Sequence, residues 1–246
     1  METFKQLFNT DSNKDDGDKI TLIDGYLAIG CFIFYMILMF LFGLLMHKTD
    51  IYSNFNYFKN KNLYKFIFYI PITLISILPI IPILYLRKHS LASIGIKKGN
   101  ILKSILVGVL FAIPLALPTI ITGINNGRRI DNIENLTWNF LYFLICIGFV
   151  EELIFRGFIQ TRLRGLIKNK WLSIVIVGVM FSSMHIPFQM LSSNISIFQF
   201  IQQNTIFLLR IVLYHFYFTY IYSRYNNIIA PTLTHTIMNF VSYIFI

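Results

Sequence analysis

The chain has 246 residues, of which 56% are hydrophobic and 13% charged, with a formal net charge of +10; ordinary soluble domains carry about 25% charged residues. A soluble domain is thereby excluded, and apolar runs of about 20 residues in place of alternating ten-residue strands indicate a helical membrane protein, not a barrel. The positive excess suits short basic loops near anionic lipid, and no soluble basic face of the kind nucleic acid requires is visible.

From the start, residues through Lys19 are polar and partly acidic. They lack a basic n-region, and no small-residue cleavage site follows the first apolar run, so that run is read as a retained helix and not a signal peptide. Apolar segments follow at roughly 22–46, 66–86, 101–123, 137–158, 171–190, 201–222 and 227–246. The expected fold is all-α, a polytopic bundle of about seven transmembrane helices forming a single membrane domain over 1–246. Pro71, Pro79, Pro82, Pro114, Pro118, Pro187 and Pro231 lie in or beside these runs, so kinks and broken helices are expected. No internal repeat suggests a transporter with two related halves. Cys31 and Cys146 fall inside apolar runs and read as small buried hydrophobes, not as a disulfide or metal site.

Basic residues set the orientation. The tail and even loops hold Lys5, Lys14, Lys19, Arg87, Lys88, Lys97, Lys98, Arg162, Arg164, Lys168, Lys170 and Arg224; the odd loops hold Lys48, Lys59, Lys61, Lys65, Arg128 and Arg129. Twelve against six places the N-terminus inside and the C-terminus outside, with the basic 47–65 loop running against the trend. The end of the fourth helix then faces the cytoplasm, with Glu151 about seven residues, or roughly 10 Å, from it.

That fourth run contains Phe149-Val150-Glu151-Glu152-Leu153-Ile154-Phe155-Arg156-Gly157. Ionisable residues at membrane depth are costly and mark function by default. Glu152 and Arg156 are four apart with the acid first, the favourable order for a helical pair; Glu151 points about 100° away and is left for chemistry. The fifth run carries Phe181 and His185 on one face, the sixth Arg210 and His215, and the last His235 and Asn239 on one face. Arg210 needs a partner, for which Glu151 or Glu152 is the expectation; His215 reads as structural. Such a set supports water activation, because a glutamate taken out of water is a stronger base, while His235 and the Asn239 amide can donate to an oxyanion. The same residues allow a metal such as zinc, with Glu151, His185 and His235 as ligands and water in the open position.

Glu151-Glu152-x-x-x-Arg156, Phe181-x-x-x-His185 and His235-x-x-x-Asn239, in this order, resemble the three motifs of the CAAX-protease and bacteriocin-processing family, also called Abi, which are intramembrane endopeptidases. Phe155-Arg156-Gly157, Ala230-Pro231 and Leu91-Ala92-Ser93-Ile94-Gly95-Ile96 resemble it too. The resemblance covers about 90–246 and leaves 1–89 outside. It implies that Glu151 and His185 activate water, that His235 and Asn239 form the oxyanion hole, and that Glu152 and Arg156 support them, with the use of a metal open. Eukaryotic relatives act on prenylated C-terminal motifs. The abundance of Ile, Asn, Lys and Phe here looks like an AT-rich bacterium, for which a membrane-associated peptide or protein precursor is the expected substrate and the bilayer the other partner. Two alternatives are a non-enzymatic bacteriocin immunity protein on the same scaffold and a small proton-coupled transporter. One discrepancy stands: counted from Lys170, His185 lies about 20 Å along its helix, deeper than Glu151, unless that helix starts late or breaks near Pro187.

Overall fold

A computed structural model describes residues 19–49, 51 and 57–246; Lys5, Lys14 and the N-terminal tail lie outside the described residues. Helix α1 spans Leu22–His47. It opens where the Asp24 carboxylate accepts the Thr21 backbone N–H at 2.7 Å, satisfying a donor that no helical carbonyl can reach. Helices α2 (Lys61–Ile77) and α3 (Ile80–Arg87) are two halves of one apolar rod. They part at Leu78-Pro79, where Pro79 and Pro82 supply no N–H to the carbonyls four residues back. Helix α4 (Ile101–Asn125) contains Pro114 and Pro118 without interruption.

Next comes one continuous helical rod: α5 (Ile133–Leu141), the π-helical Tyr142–Phe149, a single α turn Val150–Glu152, the π-helical Leu153–Ile159, and a final turn Gln160–Leu163. Helices α6 (Lys170–Ser183) and α7 (His185–Ser192) form the fifth rod, α8 (Ile197–Gln203) and α9 (Thr205–Tyr222) the sixth, and α10 (Ile229–Phe240), with a closing turn at Val241–Tyr243, the last. No strand occurs among the described residues; their β pairing is an isolated antiparallel bridge between Ile130 and Phe245.

Cross-links between loops sort the rod ends into two groups. At one end Arg87 binds Asp24, Arg162 binds the Ser93 carbonyl, and the Ile228 N–H donates to the Gly95 carbonyl. At the other, Lys48 donates to Asn194, Asn60 to Glu134, and the Asp131 N–H to the Ile244 carbonyl. The described residues therefore run seven times between two ends, as expected. Five rods are long and apolar enough to cross a membrane: Leu22–His47, Lys61–Arg87, Ile101–Asn125, Lys170–Ser192 and Thr205–Tyr222. The other two are the rod bearing the glutamates and α10, whose 12 residues extend about 18 Å, less than the hydrocarbon thickness of about 30 Å.

The outward faces are apolar: Leu102, Leu106, Leu110, Ile113 and Leu117 of α4 are all exposed, as a lipid-facing stripe requires. The main core lies inside, where Ala28 and Tyr35 of α1, Leu84 of α3, Phe155 and Phe158 of the glutamate rod, Val177 and Phe181 of α6, and Ile211 of α9 pack together. Cys31 and Cys146 are buried and free.

Candidate active site

Two glycines let the glutamate rod approach its neighbours. A Cβ at Gly148 would stand 2.5 Å from the Thr236 hydroxyl and 3.1 Å from the Thr232 carbonyl of α10; at Gly157 it would stand 2.5 Å from the Ile94 carbonyl. Gly148 thus sets the distance between the helix carrying the glutamates and the one carrying His235. We expect Gly148→Ala to force these helices apart and to lower turnover more than melting temperature; unchanged turnover per folded molecule would show that the spacing is not needed.

Glu152 and Arg156 are fully buried, and Glu151 and His235 nearly so. Arg156 Nη1 donates to Glu152 Oε1 at 3.1 Å, the helical pair expected from the spacing. The same oxygen lies 3.0 Å from His235 Nδ1. A carboxylate can only accept, so Nδ1 carries the hydrogen and Nε2 turns toward Glu151, whose Oε2 is 3.9 Å away. Glu151 Oε2 has no hydrogen-bond partner. Of the two adjacent carboxylates, one is consumed by a cation and an imidazole, and the other is left free.

Aromatic rings hold this network. Arg156 Cζ lies 4.1 Å from the Phe181 ring centre and 5.1 Å from that of Phe218, and the His235 ring stacks on Phe218 at 4.8 Å. Phe181 also meets Phe155 edge-on at 5.0 Å. His185 Nδ1 lies 3.0 Å from the Phe181 carbonyl, so this nitrogen donates and the Nε2 lone pair is left for another partner.

Glu151, Phe181, His185, Arg210, His235 and Asn239 line one cavity of about 340 Å³, together with residues of α4 and α9. Glu152 and Arg156 stand behind it. A larger cavity of about 580 Å³ shares Glu151, His185 and Asn239 and opens between α1, α2 and α7, lined by Tyr35, Met39, Thr73 and Phe188 among others. The two cavities therefore meet at the candidate catalytic residues.

The depth discrepancy is resolved by the glutamate rod being longer than the apolar run suggests. It ends at Leu163, not near 158, which puts Glu151 about 18 Å from that end; His185 is about 22 Å from Lys170. The fifth helix starts where expected. It is interrupted at Met184, between Ser183 and His185, because Pro187 has no N–H for the Ser183 carbonyl.

Two expectations need correction. Among the described residues Arg210 forms no ion pair with Glu151 or Glu152: Glu152 is taken by Arg156 and His235, and Arg210 lies 5.7 Å from the Phe207 ring centre. The metal set also does not fit. Among the described residues no three His, Cys, Asp or Glu side chains are gathered closely enough to hold an ion. His215 is buried beside Thr219 Oγ1 at 3.2 Å, the structural place expected. Sequence reasoning missed the first three runs as walls of the site, Phe218 under His235, and the His235–Glu152 bond. The aromatic residues at helical spacing from His185 and His215 were the available signal for the rings of Phe181 and Phe218 against Arg156 and His235; nothing local signals the bond.

Residues 133–241 match the family model described as Rce1-like, type II CAAX prenyl endopeptidase Rce1-like. The three motifs lie inside the match and Leu91–Ile96 outside it, so the match falls on the segment whose motifs resemble the CAAX-protease and bacteriocin-processing family and agrees with that resemblance over residues 133–241. No curated protein and no solved structure matches the chain.

Proposed function

We propose that this chain, whose residues 133–241 are similar to CAAX prenyl endopeptidases, hydrolyses a peptide bond in a membrane-associated peptide or protein with water activated by glutamate and histidine. The observation that carries this is the gathering of Glu151, His185, His235 and Asn239 on one cavity wall, with Glu151 Oε2 unbonded. Glu151 takes a proton from water while the His185 Nε2 lone pair accepts the other O–H and orients it. The water oxygen attacks the carbonyl carbon. The Asn239 amide donates to the resulting oxyanion, and His235 adds Nε2–H when its ring carries both protons, Nδ1–H remaining on Glu152. Glu151 then returns the proton to the departing nitrogen. Glu152 and Arg156 hold His235 in place.

A substrate would be found by comparing membrane proteomes of the wild type and a Glu151→Gln strain: an uncut precursor that accumulates in the variant supports the reading, and identical proteomes overturn it. The Asn239 side chain makes no hydrogen bond among the described residues and lines both cavities. Losing one oxyanion donor costs about 10²–10³ in turnover, so Asn239→Ala should fall by that factor with melting temperature unchanged. Normal turnover in Asn239→Ala would remove it from the mechanism.

The membrane is that of a bacterial cell, and the rod ends nearest Arg162, where Lys88, Lys97, Arg164 and Lys168 lie, face its cytoplasm by the bias of basic loops. Lys168 is exposed and both native cysteines are buried. A Lys168→Cys protein in intact cells should therefore react with membrane-permeant but not impermeant thiol reagents; labelling by the impermeant reagent would invert the topology.

A further inference from the structure

Arg210 is a charge at depth with no structural employment. It stands twelve residues from Tyr222 at the end of α9, about 18 Å, level with Glu151 in its own rod. Other cations of the bundle are occupied: Arg156 by Glu152 and Lys65 by the rings of Tyr142, Phe143 and Tyr243 within the rods, and Arg87 by Asp24 and Arg162 by Ser93 at the rod ends. Arg210 has a ring contact to Phe207, which consumes none of its five N–H donors. Its side chain is exposed on the wall of the cavity that Glu151, His185 and Asn239 share. A guanidinium at membrane depth is costly unless paired or facing a water-filled cavity, and its planar fork matches a carboxylate with two parallel hydrogen bonds. The rest of that wall includes Leu115, Ile147, Phe207, Ile211 and Met238, which take apolar side chains and carry no charge.

We propose that Arg210 holds a carboxylate of the substrate next to the scissile bond, and so selects peptides bearing an anionic group within a few residues of the cut. This rests on the hydrolytic reading above. The carboxylate is supplied either by the chain terminus or by an aspartate or glutamate side chain. In both cases the fork fixes the register of the peptide against Glu151, because the guanidinium and the general base line one cavity.

The test uses the purified full chain in lipid nanodiscs and a pool of randomised decapeptides. Each is made with a free carboxyl terminus and as its amide, and acidic side chains are present or replaced by Asn and Gln. Cut sites are read by mass spectrometry. We expect wild-type cuts to fall at a constant distance from a carboxylate, with kcat/KM at least about tenfold lower when that carboxylate is neutralised. A loss on amidation assigns the terminus, and a loss on Asp/Glu replacement assigns the side chain. R210Q should cut both forms alike, at the neutral form's rate, and R210K should keep part of the preference, since it retains a cation without the fork. Melting temperatures establish that both variants are folded; if R210Q does not fold, R210K against wild type decides. Cleavage by wild type without preference, or preference retained in R210Q, overturns the proposal and leaves the hydrolytic reading standing. No cleavage of any peptide by wild type overturns both.

Discussion

Glu151→Gln should fold as the wild type and lose nearly all hydrolysis. The substitution keeps size and shape, and no hydrogen bond in the structure depends on Glu151 Oε2. The imidazole nitrogen 3.9 Å away is beyond hydrogen-bond distance, so His235 stays held by Glu152. The amide cannot take a proton from water. General-base catalysis is worth about 10²–10⁴, and the same group must deliver the proton to the leaving nitrogen, so both halves of the reaction suffer. The measurement is turnover per folded molecule beside melting temperature. An active Glu151→Gln protein would place the base elsewhere. An immunity phenotype that survives in an inactive Glu151→Gln protein would instead favour a non-enzymatic role on the same scaffold.

Glu152→Gln should do the reverse and act first on stability. Glu152 Oε1 receives both Arg156 Nη1 at 3.1 Å and His235 Nδ1 at 3.0 Å, with all three side chains buried. The neutral amide leaves a guanidinium at the centre of the bundle without a counter-charge. Breaking such a buried pair from one side costs about 3–5 kcal/mol, enough to lower expression and melting temperature visibly. Removing both partners is gentler, because an apolar replacement of similar volume needs no counter-charge. Glu152→Gln combined with Arg156→Met should therefore melt above Glu152→Gln alone, a non-additivity expected of side chains in contact. Molecules that do fold should retain some cleavage, less than wild type because His235 has lost its orienting acceptor. A Glu152→Gln protein that folds normally and is inactive would exchange the roles assigned to the two glutamates.

Both results depend on a division of labour between adjacent residues, and half of it is legible in one stretch of sequence. Four-residue spacing places Arg156 over Glu152 and turns Glu151 aside, since a helix fixes relative direction within itself whatever packs around it. The same local rules mark the apolar runs, the proline breaks at Pro79 and Pro187, and the two-by-two grouping of His235 with Asn239 and Phe181 with His185. They also separate the basic loops into two sets, which the loop contacts of the structure place at opposite ends for the described residues.

What only the tertiary structure decided is which faces meet. The bond between His235 and Glu152 joins residues 83 apart in sequence, and it exists because Gly148 lets α10 come close to the glutamate rod. Arg210, expected to pair with a glutamate, remains unpaired because Arg156 and His235 reach Glu152 first. The early helices, which by sequence carry almost nothing polar at depth, supply Tyr35, Met39 and Thr73 to the larger cavity. Helix rotation and spacing in a membrane follow from side-chain packing between rods, not from a hydrophobic drive that apolar patterning would reveal, so periodicity names the residues able to form a site while contact between helices selects the ones that do.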